Sequence, residues 1–315
     1  MSTLRTALRD YLSLQRGLGY TYVHQERTLT SFTLFMEQRK TTFITTKLAL
    51  EWATQSPGRH ASWAIHLADV RGFARYLRNS EPRTEIPPTG LIPRSGRIRP
   101  YLYSDTEIQT LLTAALALPP EQALRRWTYP CLFGLLAVTS LRIGEALALR
   151  RDDVDIEEGI LTIRGAKFGK SRLVTIHPST RQVLLDYAHR RDVPLATPHS
   201  PQPTAHSPYF LVAERGGQLL PQYVYRVFWA LSRQTGLRAA TAHTGPRLHD
   251  FRHRFAVATL LDGYRAGKDV DNLMPVLSTY LGHTCIRDTY WYLSACPELM
   301  EHATRRLEKH WEALP

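Results

Sequence analysis

Cysteine is scarce in this chain: three in 315 residues (Cys131, Cys285, Cys296), none with a paired spacing. That argues against a disulfide framework. No apolar run approaches the length that spans a bilayer, and no secretory leader opens the chain. A soluble protein of a reducing compartment is therefore expected, in the cytoplasm or its nucleoid, without membrane association. Internal repeats and heptads are also missing, which removes solenoids and coiled coils. Acidic residues are in deficit, with 28 Asp and Glu against 40 Lys and Arg, for a formal charge of +12. An excess of that size points to a polyanionic partner, because each Lys or Arg seated on a phosphate releases condensed counterions. The excess is uneven. Residues 1–100 hold 15 basic against 7 acidic residues (+8), and the remainder holds 25 against 21 (+4). Apolar material is not lacking: 43% hydrophobic and 22% charged residues is an ordinary globular composition, and the length suits two domains.

The chain reads as mainly α with a small β-hairpin sheet. Residues 4–80 are helical in pattern, with Leu4, Leu8, Leu12 and Leu14 near one face and Trp63, Ile65, Leu67, Val70, Phe73 and Leu77 forming another. Arg59, Arg71, Arg75 and Arg78 are interleaved with that second face. They are either a solvated helix surface or phosphate clamps. Residues 81–101 carry five prolines, and Arg94, Arg97 and Arg99 lie among them, which reads as a basic linker able to follow a DNA backbone. Ser104-Asp105-Thr106-Glu107 is a capping-box pattern that opens the next domain. The expected boundaries are 1–85 for a helical domain, 86–103 for the linker and 104–315 for the second domain. Within the latter, Val154–Ile156, Ile160–Ile163 and Arg172–Ile176 read as short strands joined by turns, and Tyr209–Val212 as a further edge strand.

Several residues of this second domain carry chemistry. Arg142 lies in Leu141-Arg142-Ile143-Gly144-Glu145, and Lys167 in a glycine-bearing turn between two strands. His249 and Arg252 fall in His249-Asp250-Phe251-Arg252-His253, His283 follows Leu281-Gly282, and Tyr292 comes nine positions after His283. Taken singly, each has a plain explanation. Arg142 suits a surface ion pair with Glu145, hairpin turns are often basic (Lys170 and Arg172 are close by), and a His and an Arg on one helix face are common. A zinc site built from His243, His249, His253 and His283 lacks a cysteine or a suitably spaced carboxylate. Together the residues supply what metal-free chemistry on a phosphodiester requires. Planar guanidiniums hold the non-bridging oxygens, imidazoles donate hydrogen bonds or move protons, a lysine protonates the leaving oxygen, and a tyrosine attacks. Tyr290 is a rival nucleophile two positions earlier. Glu145 and Asp250 suit supports for the arginines and histidines. His253 is expected to project elsewhere on its helix, and Tyr280 to pack.

In order and spacing this set resembles the tyrosine recombinase (phage integrase) family, closely over residues 104–300 and loosely over the helical N-terminal region; it is similar to integrases carried on bacterial mobile elements. The resemblance implies a two-domain clamp on DNA with an all-helical core-binding N-terminal domain. It implies catalysis by Arg142, Lys167, His249, Arg252, His283 and Tyr292 through a 3′-phosphotyrosyl intermediate, with neither metal nor nucleotide cofactor. The implied partners are double-stranded DNA recombination sites, further copies of the chain in a tetramer, and accessory recombinases or directionality factors. The amphipathic tail of residues 297–313, with Leu299, Met300, Ala303, Leu307 and Trp311 apolar, would then dock on a neighbouring subunit. A type IB-like topoisomerase and a non-catalytic DNA-binding module of the same fold are the alternatives.

Overall fold

The computed structural model describes residues 4–55, 60–93, 96, 99–165, 171–192, 207–242 and 244–312. Arg59, Arg94, Arg97, Lys167 and His243 lie outside the described residues. The chain divides into two compact units, Met1–Ile98 and Arg99–Pro315.

The first unit is helical: α1 (Leu4–Gly17), α2 (Val23–Gln38), α3 (Thr46–Gln55) and α4 (His60–Leu77). Leu4, Leu8 and Leu12 recur at one helical face of α1 with Ala7 and Tyr11, and all five are buried. Leu14, two positions beyond Leu12 and so on the far side of the helix, is exposed. Ile65 is exposed for the same reason, while Leu67, Val70, Phe73 and Leu77 of α4 enter the core. Phe32 meets Trp52 edge-on at 5.1 Å, joining α2 to α3. The start of the segment expected to be linker folds back on this unit. Glu85 donates its backbone N–H to Ile44, and Arg71 donates to the carbonyls of Pro87 and Pro88 at 2.6 and 2.8 Å.

The second unit opens with α5 (Asp105–Leu116), whose N-terminus is closed by the expected capping box between Ser104 and Glu107. Next come α6 (Arg125–Thr139) and the short α7 (Ile143–Ala148), then an antiparallel sheet of β1 (Val154–Asp155), β2 (Ile160–Ile163) and β3 (Arg172–Thr175) in that order. Ile160 pairs with Thr175 and Ile163 with Arg172, so β2 and β3 run antiparallel, with Ile163 and Arg172 as the last paired residues on either side of position 167. Tyr209 and Val212 form isolated bridges to Arg150 and Gln218, in place of an edge strand. The remaining helices are α8 (Pro178–Asp192), α9 (Pro221–Gln234), α10 (Asp250–Arg265), α11 (Val270–Leu281), α12 (Arg287–Tyr290) and α13 (Pro297–Glu312). A 3₁₀ turn over Trp291–Ala295 separates the last two.

Helix α10 is the spine of this unit. Its Phe251 stacks on Tyr103 at 4.5 Å within the larger core around α6. Its Ala256, Val257 and Leu260 belong to a second core with Met274, Leu281, Tyr292 and Leu299. Because α10 is clamped in both cores, residues at its first turn are held against α6, α11 and the 3₁₀ turn together. Helix α13 begins on its own chain: Leu299 is buried in that second core, His302 stacks on Tyr264 at 5.3 Å, and Arg265 donates to Glu298 at 2.6 Å. Among the described residues no helix is long and apolar enough to cross a membrane.

Candidate active site

Arg142 sits in extended conformation immediately before α7, and Glu145 in the first turn caps its backbone N–H at 2.9 Å. The same carboxylate accepts from the Arg142 guanidinium at 2.8 Å, as a plain surface pair would. The setting is not a surface one. Arg142 also donates to the Gly282 carbonyl at 3.2 Å, and Glu145 accepts two further bonds from Arg172 of β3, at 3.1 and 2.8 Å. Arg172 uses its Nε on the Tyr280 carbonyl at 2.9 Å. Burial by itself would raise the Glu145 carboxyl, but the hydrogen bonds and charges of Arg172 and Arg142 outweigh it and hold the group at about 2. Glu145 therefore remains an anion with two cationic partners. The Arg142 side chain is 28% exposed, against 10% for Arg172, so Arg142 is the one a ligand can reach.

Arg252 is 2% exposed, a costly position for a guanidinium unless its donors are used. It donates to the Ser140 carbonyl at 2.8 Å and the Leu281 carbonyl at 2.6 Å. Both acceptors lie at helix C-termini, those of α6 and α11, where the peptide dipoles present partial negative charge. Ser140 turns its carbonyl inward from a left-handed backbone (φ 55), an uncommon conformation for a residue with a Cβ. Burial, and then repulsion from Arg142, lower the Arg252 guanidinium to about 10, which leaves it fully charged at neutral pH.

Tyr292 is also 2% exposed, held by the 3₁₀ turn after α12. Its ring lies 6.1 Å from that of His283, nearly parallel, and 5.5 Å from that of His253, edge-on. Burial raises its hydroxyl pKa, while the charge of Arg252, a hydrogen bond from it and the charge of Arg142 pull in the opposite direction. Tyr290, by contrast, is 46% exposed. His283 follows Gly282, the left-handed cap of α11 (φ 67), and its Nδ1 pairs with the buried hydroxyl of Thr289 at 2.7 Å. Burial first, then Arg252 and Arg142, depress His283 to about 4, with Asp288 opposing weakly. His249, at the start of α10, is depressed in the same direction by burial and then by Arg252. At neutral pH both imidazoles are uncharged, so the fixed positive charge of the described site comes from arginine.

Of the six residues expected to be catalytic, five converge here from four segments of the chain: Arg142, His249 with Arg252, His283, and Tyr292. Lys167 lies outside the described residues. His253 corrects the sequence reading. It is buried with its ring against His249, Trp291 and Tyr292, because the 3₁₀ turn carries Trp291 and Tyr292 back over the first turn of α10. Asp250 serves Arg247, accepting from its backbone and its guanidinium, rather than the histidine or arginine of the site. Two participants were missed. Arg172 reads in sequence as one more basic residue of a hairpin, and Thr289 gives itself away only as a small polar residue one turn before the tyrosine. Among the arginines expected on DNA, Arg75, Arg78 and Arg99 are exposed, whereas Arg71 is engaged with Pro87 and Pro88.

The phage integrase family profile matches residues 103–298. The Sinorhizobium fredii protein y4rB, named provisionally as an integrase/recombinase, is 52% identical over 99% of both chains. The tyrosine recombinase XerD of Caulobacter vibrioides is 31% identical over 77% of this chain and 73% of its own. In fold, the chain is similar to the Tn1549 transposon integrase in complex with transposon right end DNA, with TM-score 0.66 and 13% identity, covering 96% of this chain and 98% of that one. It is also similar to a λ integrase tetramer bound to a Holliday junction, with TM-score 0.62 and 16% identity, covering 92% and 77%. With its arginines, histidines and tyrosine gathered around the first turn of α10, the chain belongs to the phage integrase family, the tyrosine recombinases.

Proposed function

We propose that this protein is a site-specific DNA recombinase that cuts and rejoins strands by transesterification, with Tyr292 as nucleophile. The observation that carries the reading is the burial of Tyr292 beside Arg252, next to His283 and within the field of Arg142. In the proposed step the Tyr292 oxygen attacks the scissile phosphorus and the bond from phosphorus to the 5′ oxygen breaks. That oxygen leaves with the electron pair and takes up a proton, giving a 3′-phosphotyrosyl link and a 5′-hydroxyl. A 5′-hydroxyl from another strand reverses the step, so bond energy is conserved and nothing is hydrolysed. Arg142 and Arg252 stabilise the charge that builds on the non-bridging oxygens, a contribution of roughly 3–4 kcal/mol for a well-aimed donor. A neutral histidine takes the tyrosine proton. With Nδ1 on Thr289, His283 has Nε2 left for a phosphate oxygen. Lys167 is the proposed general acid for the 5′ oxygen.

The two units are assigned as the core-binding domain and the catalytic domain of a clamp, with DNA as partner. Assembly on a Holliday junction is known of a structural neighbour, and a tetramer exchanging α13 between subunits is the corresponding proposal here. In the free chain α13 starts on its own α10, so exchange requires the contacts of Leu299, His302 and Glu298 to be re-formed on a neighbour or retained at the pivot.

A nicked suicide substrate bearing the element's own recombination site tests this reading on denaturing gels. Wild type and Tyr290→Phe should both trap a covalent protein–DNA adduct, and Tyr292→Phe should trap none while binding DNA normally. An adduct that survives Tyr292→Phe but not Tyr290→Phe moves the nucleophile. Adduct with relaxation of a supercoiled circle but no strand exchange selects the topoisomerase, and no adduct from wild type selects a binding module.

A further inference from the structure

Three arginines and one carboxylate meet at this site, and the carboxylate is shared unequally. Glu145 accepts two guanidinium bonds from Arg172, but one guanidinium bond and one backbone bond from Arg142. Arg172 is committed to the protein rather than to a ligand. Its Nε is on the Tyr280 carbonyl, both terminal nitrogens are on Glu145, and its side chain is nearly buried. The side chain is packed as tightly: a Cβ on Gly282 would lie 2.8 Å from Arg172 Nη1 and 3.2 Å from its Cδ. One side chain thus ties β3, the first turn of α7 and the end of α11, the turn from which His283 projects.

We propose that Arg172 is a positioning residue that takes up the charge of Glu145, so that Arg142 keeps its own for the scissile phosphate. The charges make the point. Arg142, Arg172 and Glu145 sum to +1, and the surplus lies on Arg142, whose second terminal nitrogen donates, among the described residues, to the Gly282 carbonyl. Without Arg172 the sum is zero. Glu145, buried and with no other cation among its hydrogen-bond partners in the described residues, then becomes a full counter-ion to Arg142. In a low-dielectric site that pairing competes directly with an incoming phosphate. The carboxylate remains useful because its bond to the Arg142 backbone N–H fixes where the side chain starts. Arg172 lets the site keep that anchor without neutralising the residue it anchors.

This inference rests on the recombinase reading, and its test separates the two. Single-turnover cleavage of the suicide substrate is measured beside DNA affinity and thermal melting for four proteins: wild type, Arg172→Ala, Glu145→Gln and the double variant Arg172→Ala/Glu145→Gln. Arg172→Ala should cleave roughly 10–100-fold more slowly, the usual scale for a residue that orients a site from behind, with DNA affinity nearly unchanged. The double variant restores the sum to +1 and should recover most of the lost rate. A merely structural role predicts the opposite, because removing a second polar anchor can only loosen the site further. Should Arg172→Ala not fold, Arg172→Gln and its Glu145→Gln double carry the same comparison. Wild type that traps no adduct overturns the recombinase reading and this inference with it. Wild type that cleaves beside an unimpaired Arg172 variant, or a double variant no faster than the single, overturns this inference alone.

Discussion

At the residue scale, the site pairs a protonated nucleophile with uncharged bases. Burial raises the Tyr292 hydroxyl and lowers the neighbouring imidazoles, so among the described residues the resting site carries its positive charge on arginines. The histidines leave a thermodynamic signature. His253 and His283 are each depressed to about 4, both by burial first; His249 is the next influence on His253, and Arg252 and Arg142 on His283. Asp250 opposes the shift at His253 and Asp288 at His283, without reversing either. An unfolded histidine titrates near 6.5, so between about pH 6.5 and 4 the unfolded chain binds protons that the folded one refuses. Stability must therefore fall as pH drops through that window, by at most about 1.4 kcal/mol per pH unit for each group. Urea unfolding of the full chain from pH 7.5 to 4.5 should show the decline, and His253→Phe should flatten it. Equal slopes in the two proteins would mean that His253 titrates normally in the fold. Among the described residues the buried Nδ1 of His253 has no hydrogen-bond partner, which fits the same picture of a ring kept neutral by burial, with the charge of Asp250 too weak to reverse it.

At the element scale, the site is a meeting of helix ends. The C-termini of α6 and α11 supply carbonyls to Arg252, the start of α7 supplies Arg142, and β3 supplies the arginine that joins α7 to α11. Gly282 is a tight point of the site. Its left-handed backbone costs an L-residue about 1–2 kcal/mol, and a Cβ there would strike Arg172, which three hydrogen bonds hold in place. Gly282→Ala should therefore lower the melting temperature and reduce cleavage well beyond any loss in DNA affinity. Gly282→Asn, which tolerates the left-handed region better, should recover part of the stability but not the cleavage rate, because its Cβ meets the same side chain. If Asn restores both, backbone strain is the whole effect. Much of this scale was legible in advance. Ser104 and Glu107 announced their cap three residues apart, and β2 and β3 stood out as β-branched runs, because such signals are local. Arg172 was illegible because its partners lie 27 and 108 residues away in the chain. His253 was misplaced for a similar reason: a helical wheel shows which face it occupies but not that the 3₁₀ turn returns to cover that face.

At the scale of the whole molecule, the two units carry separate cores, one drawn from residues 4–92 and the others from residues 101–299. Removing residues 1–98 therefore leaves the cores of the second unit whole, and the truncated protein should fold and melt cooperatively. Its DNA affinity should be far lower, because the denser positive excess goes with the deleted part. The first unit's own contribution can be resolved more finely. Arg75 and Arg78 are exposed on α4, whereas Arg71 is committed to the Pro87 and Pro88 carbonyls. If α4 lies on the duplex, Arg75→Ala/Arg78→Ala should flatten the dependence of log affinity on log salt by about 1.8, at about 0.9 for each phosphate given up. Arg71→Ala should act differently, freeing residues 87–88 and lowering stability while leaving the salt slope nearly intact. Titrations of a labelled duplex between low and moderate salt measure all three slopes. A double variant with the wild-type slope would show that α4 faces solvent. An Arg71 variant that loses as much slope as the pair would show that its guanidinium exchanges the two carbonyls for a phosphate on binding.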